Sequence, residues 1–330
     1  MTHKGTILIV GGAGYIGSHT TLALRDAGYR TVVYDDFSTG HRDACFGDAL
    51  VEGALNDAVN LAATMRAHEV DCVVHFAALI EAGQSVLTPL PFFENNVAGT
   101  VSLLGAMNAA GVKKIVFSST AAAYGNNASK PLLSEDLPRA PINPYGDSKV
   151  MVETILESCV PAHNMQSIAL RYFNACGADP DGRTGERHDP ETHLIPLIIQ
   201  AARGTRADIK IYGTDYDTPD GTCIRDYIHV CDLASGHVAA VAHLLGRDQP
   251  SFQPINLGTG QGHSVREVVD AVKAISGVDF KVVETERRPG DPARLVADAA
   301  LAKSVLGWSA ERSDLEQIVA DAFAYAEANF

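Results

Sequence analysis

Short apolar runs alternate with longer amphipathic stretches over the first half of the chain. The apolar runs predict strands, and the stretches of helical periodicity between them predict helices. Runs such as CVVHFAA (72–78) and KIVFSS (114–119) are typical of strands buried on both faces. The alternation predicts an α/β fold, a doubly wound parallel Rossmann sheet with right-handed crossovers. The predicted strands are Thr6–Val10, Arg30–Asp35, Ala49–Glu52, Asp71–Ala77, Lys113–Ser118 and Ser167–Phe173, and the first predicted helices are Ser18–Ala27 and Asn56–His68.

The pattern changes beyond about residue 175, where segment 174–187 is rich in Gly, Asp and Pro and is predicted to be a loop. Helix, strand and helix patterns follow it, ending with two terminal helices. We expect a smaller mixed α/β C-terminal domain here. The predicted division is a first domain of residues 1–175, to which 224–260 returns, and a second domain of 176–223 and 261–330; the predicted elements include a helix over 193–203, a strand IKIYG (209–213), a strand and helix within 224–246 and a strand PINLG (254–258).

A glycine-rich turn follows the first predicted strand and opens the first helix. Gly11, Gly12, Gly14 and Gly17 satisfy both GxxGxxG and GxGxxG. Such a turn lets the backbone approach a pyrophosphate, which then meets the free N–H groups of the helix N-terminus. Asp35 ends the second strand at about the spacing of 20 residues expected for an acid that binds the ribose 2′-hydroxyl, so NAD is favoured over NADP. The alternative is a plain packing turn and a solvated Asp.

Three further residues form a candidate catalytic set. Thr120 ends the fifth predicted strand, and Tyr145 and Lys149 lie four positions apart on the next helix, hence on one face. An adjacent ammonium and a positively charged nicotinamide would lower the pKa of Tyr145, which could then take a proton from a sugar hydroxyl. Thr120 could bind the same oxygen, and Lys149 could hold the nicotinamide ribose. The alternative is a surface Tyr–Lys pair.

Composition restricts the partners. Hydrophobic residues make up 46% of the chain and the net charge is −14, which argues against nucleic acid and anionic membranes. An anionic substrate would therefore need a local arginine site. The six cysteines form no CxxC pair, which is typical of reduced thiols in a cytoplasmic protein. We find no zinc-ligand spacing and expect no metal, and the short apolar N-terminal run predicts neither a signal peptide nor a membrane span.

The chain resembles the extended short-chain dehydrogenase/reductases, and within them the UDP-hexose 4-epimerases. The resemblance covers nearly the whole chain, and its later motifs are specific to sugar-nucleotide members. It rests on GGAGYIGSHT (11–20), VVHFAA (73–78), NNVAGT (95–100), FSSTAAAYG (117–125), PYGDSK (144–149), LRYFNACGA (170–178), DGTCIRDYIHV (220–230) and RRPGDPARLVAD (287–298).

The resemblance implies further binding residues, a homodimer, and UDP-glucose and UDP-galactose as substrates. It assigns NAD to the first domain and the UDP-sugar to the second. Arg225 and Arg288 would supply the arginine site, as donors to phosphate, although either could instead be a solvated surface charge. The implied NAD contacts are Tyr15, Ile16, Phe76, Ala77, Ala78, Asn95 and Phe173, and the implied substrate contacts are Asn174, His193, Leu194, Tyr212, Arg225, Arg288, Asp291 and Leu295.

The chain departs from similar epimerases at a few binding positions. Ile80 stands where some have lysine, Ala54 where some have an acid near adenine, and His193 where some have asparagine. Leu295 replaces a tyrosine that is common in members restricted to glucose and galactose. A shorter side chain there predicts that UDP-N-acetylhexosamines are also turned over, more slowly, unless Leu295 only packs in the core.

The residues after Thr120 distinguish the reactions of the relatives. Similar dehydratases carry an acid there, whereas this chain has three alanines, Ala121–Ala123. Without an acid the 4-keto sugar can only take its hydrogen back. If the keto sugar first rotates, C4 is inverted, so the sequence predicts NAD-dependent 4-epimerisation of UDP-hexoses. The alternatives are a 4,6-dehydratase and a non-catalytic, NAD-sensing binding protein.

Overall fold

The computed structural model describes residues 3–125, 130–288 and 291–330. The strands are β1 (Thr6–Val10), β2 (Arg30–Asp35), β3 (Ala49–Glu52), β4 (Cys72–His75), β5 (Lys114–Thr120), β6 (Gln166–Tyr172), β7 (Asn174–Cys176), β8 (Ile209–Tyr212), β9 (Ile224–Arg225), β10 (Tyr227–His229), β11 (Ser251–Leu257), β12 (His263–Ser264), β13 (Val282–Thr285) and β14 (Arg294–Leu295). The helices are α1 (Tyr15–Asp26), α2 (Ala58–Ala67), α3 (Ala82–Leu87), α4 (Pro89–Phe92), α5 (Gly99–Ala110), α6 (Pro144–His163), α7 (Leu194–Ala202), α8 (Val230–Leu245), α9 (Val265–Ser276), α10 (Ala300–Leu306) and α11 (Leu315–Asn329).

Seven strands form one parallel sheet in the order β3-β2-β1-β4-β5-β6-β11. The order reverses direction between β1 and β4, and ligands of open α/β sheets bind at the carboxyl ends of the strands beside such a reversal. Helices α2, α5 and α6 contribute to an apolar cluster with one face of the sheet, and α1, α8 and α10 contribute to a cluster with the other. The predicted doubly wound α/β fold is therefore confirmed.

A third apolar cluster lies outside this sheet. Helices α7, α9 and α11 pack there with β8, which pairs in parallel with β13. Two small sheets, one of β9 with β12 and β14 and one of β7 with β10, contain the remaining short strands. Among the described residues, none of the helices is both long enough and apolar enough to cross a bilayer.

The predicted boundaries agree with the structure best for the first three strands. The predicted fourth strand is too long, because Phe76 and Ala77 leave the sheet after β4. The predicted loop over 174–187 is wrong at its start, since Asn174–Cys176 forms β7. That strand pairs with Tyr227–His229, a partner some fifty residues away that local composition does not indicate.

A buried ion pair fixes α6 against the sheet. Arg171 on β6 donates from Nε to Glu153 Oε1 at 2.9 Å and from Nη2 to Glu153 Oε2 at 2.5 Å. Ser119 on β5 donates to the same Oε1 at 2.6 Å. Both charged side chains are at most 2% exposed, so their mutual hydrogen bonds are needed to offset desolvation. The contact sets the position of α6, whose first turn carries Tyr145.

Candidate active site

Glycine at two positions is required by close packing of the turn between β1 and α1. Gly11 has φ +82°, and a Cβ on it would lie 2.5 Å from the backbone nitrogen of Ala77. A Cβ on Gly17 would lie 2.2 Å from the carbonyl oxygen of Gly11. Gly14 caps the N-terminus of α1, and a Cβ on it would meet only the Gly11 oxygen, at 3.6 Å. The turn therefore presents open backbone at a helix N-terminus, the arrangement that binds a pyrophosphate.

Asp35 lies beside this turn at the end of β2. Its carboxylate accepts from the backbone N–H of Ala13 at 2.8 Å and of Phe37 at 2.9 Å. Burial raises the pKa of Asp35, and these two backbone hydrogen bonds oppose that rise. The carboxylate is thus held in place at the rim of the turn, where it can accept from ribose hydroxyls and repel a 2′-phosphate.

One cavity of about 390 Å³ runs from the glycine turn past the ends of the central strands to α6. Most of the sequence-predicted site residues line it. Gly12 does not, because its Cα faces the side chains of Ile9 and Val33 in the core. Ile80 lines the cavity, while Ala54 contributes a carbonyl that accepts from the Tyr34 hydroxyl. The predicted residues that line the cavity are Gly11, Gly14, Tyr15, Ile16, Gly17, Asp35, Phe76, Ala77, Ala78, Asn95, Thr120, Tyr145, Lys149, Phe173, Asn174, His193 and Leu194.

Thr120 and Tyr145 meet at the end of β5. Thr120 caps the following 3₁₀ helix, because its side chain accepts from the backbone N–H of Ala122 at 3.1 Å. Tyr145 lies in the first turn of α6, where Asn143 caps the helix by accepting from Gly146 N–H at 2.8 Å. The Tyr145 hydroxyl hydrogen-bonds with Thr120. The helix start and the strand end thus bring together the two hydroxyl groups that the sequence paired.

Lys149 is 2% exposed and lies one turn further along α6. Its Nζ donates to the carbonyl oxygen of Ser118 at 2.8 Å and lies 5.9 Å from the centre of the Tyr145 ring. Burial lowers the pKa of Lys149 to about 7. Lys149 therefore lies beside the phenol ring of Tyr145, and its hydrogen bond with Ser118 holds it against β5.

The pKa of Tyr145 is raised by burial, and the hydrogen bond with Thr120 only partly opposes this. Glu81 adds to the rise. We expected the ammonium of Lys149 and a positively charged nicotinamide to lower this pKa. Within the protein alone the pKa of Tyr145 is raised, because burial of the phenol outweighs the opposing effect of Thr120. Lys149 directs its hydrogen bond to the carbonyl of Ser118.

The other predicted substrate residues form a second cluster away from the lining of this cavity. Arg225 donates to the Asp291 carboxylate and to the carbonyl of Ile224, at 2.8 Å in the second case. The guanidinium of Arg288 lies 4.0 Å from the centre of the Tyr212 ring, and Asp291 N–H donates to the Arg288 carbonyl at 3.2 Å. The structure thus gathers two arginines, an aromatic ring and an acid into one site.

Leu295 contacts both the residues that line the cavity and the cluster around Arg225. It pairs with Arg225 between β14 and β9, and it packs with Phe173 against the small apolar cluster of Ala121, Tyr124 and Leu133. It is half-buried. Two residues of the quoted RRPGDPARLVAD segment, 289 and 290, lie outside the described residues.

The structure also brings together a set of side chains of which the sequence analysis named only His193. Glu186, His188, Glu191 and His193 converge in the segment before α7, and three of them line the cavity. Burial would lower the pKa of both histidines, but the adjacent glutamate carboxylates outweigh it and raise the pKa to about 9 for His188 and about 10 for His193. The only signal in the sequence was the local spacing ExHxxExH.

Three supporting hydrogen bonds were also missed, because nothing in the local sequence indicates them. Ser85 Oγ accepts from the backbone N–H of Tyr145 at 3.1 Å. Asn96, in the π-helical segment Phe93–Ala98, donates to Ser148 Oγ at 3.0 Å and accepts from Leu79 N–H at 2.8 Å. The bonds to Tyr145 and Ser148 join the segment after β4 to the start of α6.

Three features define the class of the protein: the parallel doubly wound sheet, the glycine turn with its acid, and the pair of Tyr145 with the buried Lys149. They define a dinucleotide-dependent enzyme of the short-chain dehydrogenase/reductase class. Residues 7–258 match the NAD dependent epimerase/dehydratase family. The chain belongs to that family.

Similar proteins cover nearly the whole chain. The UDP-glucose 4-epimerase of Rhizobium leguminosarum bv. trifolii is 50% identical over 96% of this chain and 96% of its own length. The crystal structure of UDP-glucose 4-epimerase from Brucella ovis in complex with NAD has a TM-score of 0.94 at 46% identity, over 97% of this chain and 98% of its own. The UDP-Glc/GlcNAc 4-epimerase of Campylobacter jejuni has a TM-score of 0.85 at 41% identity, over 98% of both chains.

Proposed function

We propose that this enzyme is an NAD-dependent 4-epimerase that interconverts UDP-glucose and UDP-galactose. The observation that carries the proposal is the meeting of Thr120, Tyr145 and Lys149 at one end of the cavity, followed by three alanines in place of an acid. The relatives of that name match the chain from end to end.

NAD fits the opposite end of the cavity. The glycine turn offers open backbone and a helix N-terminus to the pyrophosphate, and Asp35 accepts from the adenosine ribose. We assign the remaining cofactor contacts to Tyr15, Ile16, Phe76, Ala77, Ala78, Asn95 and Phe173, which line the same cavity. When bound, NAD would supply the acceptor for the hydride from C4 of the sugar and the donor for its return.

Tyr145 takes the proton of the sugar 4-hydroxyl in this mechanism and gives it back at the end. Thr120 holds the same oxygen, since it already hydrogen-bonds with the phenol. Because burial raises the pKa of Tyr145, a nearby positive charge is needed to favour the phenolate. Lys149 positions the nicotinamide ribose from its place on Ser118. It adds positive charge only in its protonated state.

The residues after Thr120 favour epimerisation over elimination. Ala121, Ala122 and Ala123 begin the 3₁₀ helix Ala121–Tyr124, and their side chains have no group that could move a proton at a neighbouring carbon. The hydroxyl of Tyr124 donates to Asn256 at 2.6 Å. The 4-keto sugar can therefore react further only by return of hydride to C4. Rotation of the keto sugar exposes its other face, and return to that face inverts the centre.

The substrate sites are assigned to the two clusters. Asn174, His193 and Leu194 line the cavity next to the reacting end and would bind the sugar and its phosphates. The second cluster would bind the uridine nucleotide, with Arg225 and Arg288 as phosphate donors and Tyr212 as a ring contact. Asp291 holds Arg225, and Leu295 borders the sugar.

We further propose that the chain has two domains, which bind different ligands. Residues 1–175, with 224–260 returning, bind NAD, and residues 176–223 and 261–330 bind the UDP-sugar. The support is that β11 joins the central sheet while α7, α9 and α11 have an apolar cluster of their own.

The protein is also proposed to be a cytoplasmic homodimer. Six cysteines without a disulfide fit a reducing compartment. An exposed apolar groove lies on α5, α6 and the π-helical segment between α4 and α5, and a second copy could cover it. Its lining residues are Phe93, Val97, Ala98, Val101 and Met151.

Turnover of UDP-galactose by the purified protein without added NAD tests the proposed reaction. Formation of UDP-glucose, with nucleotide released only on denaturation, is the expected result. A keto-deoxy sugar product would show a 4,6-dehydratase. Nucleotide binding with no product from either UDP-hexose would show the non-catalytic, NAD-sensing alternative.

A further inference from the structure

A mixed cluster of imidazoles and carboxylates lies in the segment between β7 and α7. Glu186, His188, Glu191 and His193 each offer one ligand atom, and these four atoms all lie within 4.8 Å of one another. The side chain of Glu186 is 6% exposed and that of Glu191 is 8% exposed. Two carboxylates are thus buried side by side, an arrangement that needs compensating positive charge.

The distances between these atoms resemble those around a tetrahedral metal ion. Zinc binds nitrogen and oxygen at about 2.0–2.2 Å, which places neighbouring ligand atoms about 3.3–3.6 Å apart. His188 Nδ1 lies 3.3 Å from Glu186 Oε1 and 3.6 Å from Glu191 Oε2. His193 Nδ1 lies 3.4 Å from the other oxygen of Glu191, Oε1, and 2.7 Å from Glu186 Oε1, and the last of these separations would have to widen around a metal ion.

Two of these ligand atoms lack a well-aligned hydrogen bond within the described residues. They are Glu186 Oε1 and His188 Nδ1, and both are buried. Buried polar atoms are rarely left in this state, and a bound ion is one of the few explanations. Glu191, by contrast, is oriented by the backbone, since its Oε1 accepts from Thr192 N–H at 2.7 Å and from His193 N–H at 2.8 Å. Such outer hydrogen bonds orient the ligands in metal sites.

We propose that Glu186, His188, Glu191 and His193 bind one divalent transition-metal cation, with Zn²⁺ as the first candidate. A divalent ion makes two carboxylates and two neutral imidazoles electrically neutral. Two nitrogen and two oxygen donors suit zinc and cobalt, whereas Mg²⁺ and Ca²⁺ prefer oxygen alone. The competing arrangement, a proton on each imidazole and no metal, compensates the same charge.

The position of the site gives it a consequence for the cavity. Glu186, His188 and His193 border the cavity next to Leu194, at the start of α7. A cation there would hold the segment from Glu186 to His193 in one conformation beside the cavity. It would leave Nε2 of His193 as the ring nitrogen available to a ligand, because Nδ1 faces the cluster. The inference is independent of which sugar the enzyme uses.

Cobalt titration of the protein with its bound nucleotide tests the proposal directly. After chelator treatment and dialysis, Co²⁺ should bind at one equivalent per chain and give the visible bands of a tetrahedral ion. The strong near-ultraviolet bands of cobalt–thiolate bonds should be absent, which excludes the neighbouring Cys176. Zn²⁺ should displace Co²⁺ at one equivalent and raise the Tm.

Matched variants assign the binding to this cluster. His188→Gln and Glu191→Gln should each weaken Zn²⁺ binding by at least about tenfold, the lower end for perturbed metal sites. His263→Gln is the control, because His263 also faces a glutamate, Glu267, at 3.8 Å but lies outside the cluster. It should bind Zn²⁺ like the unmodified chain.

Three results would overturn the proposal: failure of the unmodified protein to bind either ion at one equivalent, cobalt spectra with thiolate bands, or equal affinity in all three variants. The first two use the unmodified chain, so they stand even if a variant folds poorly. Absence of binding would leave two protonated histidines as the compensating charges.

Discussion

Replacing Lys149 by methionine should stabilise the fold while it removes activity. Lys149 is 2% exposed, and burial lowers its pKa from 10.5 to about 7. A shift of that size corresponds to at most about 5 kcal/mol of unfavourable folding free energy when the amine must be charged. Methionine has a similar shape and no charge. It leaves the Ser118 carbonyl without this donor, which costs about 1–3 kcal/mol, so the expected net gain near neutral pH is about 2–4 kcal/mol.

The pH dependence of this gain gives the sharper test. Below about pH 7 the lysine is protonated in both states, so its full cost is present in the unmodified chain. Between about pH 7 and pH 10.4 the unfolded state binds more protons than the folded state, and the stability contributed by Lys149 rises with pH. The advantage of Lys149→Met should therefore shrink through this window and become a disadvantage of about 1–3 kcal/mol near its upper end, where only the lost hydrogen bond to Ser118 remains.

Urea unfolding of nucleotide-free protein at several pH values measures the difference, with Lys281→Met as the control. The Lys281 side chain is 70% exposed beside Asp208 at 3.9 Å, and its replacement should change the free energy of unfolding by less than about 0.5 kcal/mol. Turnover of Lys149→Met should fall at least about 100-fold. A destabilised variant at pH 7, or an advantage that does not depend on pH, would refute the reasoning.

Three other substitutions probe the proposed roles. Tyr145→Phe should lower kcat by about 10²–10⁴-fold with bound NAD retained, and a loss of less than about tenfold would argue against its role as the base; Tyr124→Phe, which loses a buried hydrogen bond to Asn256 at 2.6 Å, should affect stability more than turnover. Arg225→Ala should weaken UDP binding, measured by calorimetry, by about 1.5–3 kcal/mol, and unchanged affinity would place the phosphates elsewhere. Leu295→Tyr should suppress turnover of UDP-N-acetylglucosamine selectively, whereas equal effects on both sugars, or no such turnover by the unmodified chain, would show that Leu295 only packs.

Local sequence signals were sufficient for the cofactor end of the site. The glycine turn is encoded within seven residues, and its steric reasons are visible in the contacts of Gly11 and Gly17. Asp35 follows from strand periodicity, and the four-residue spacing of Tyr145 and Lys149 follows from helix geometry. These features depend on neighbours in the chain, so a single sequence contains them.

Contacts between distant segments were not accessible in the same way. The partner of Lys149 is a backbone carbonyl, which no side-chain motif records, and the pKa of Tyr145 is raised by burial of the phenol, which the residue spacing does not reveal. Strand β7 depends on pairing with β10. The cluster around Glu186 requires a loop to fold back on itself, so its four ligand atoms meet only in three dimensions.

The fate of the hydrogen at C4 tests the central claim most directly. The protein should be incubated in ordinary water with UDP-galactose carrying deuterium at C4, without added NAD, and the UDP-glucose formed should be analysed by NMR and mass spectrometry. Because the same hydride is removed from C4 and returned to it without exchange with water, the product should keep the deuterium at C4. Replacement of that deuterium by solvent hydrogen, or no conversion of UDP-galactose at all, would contradict it.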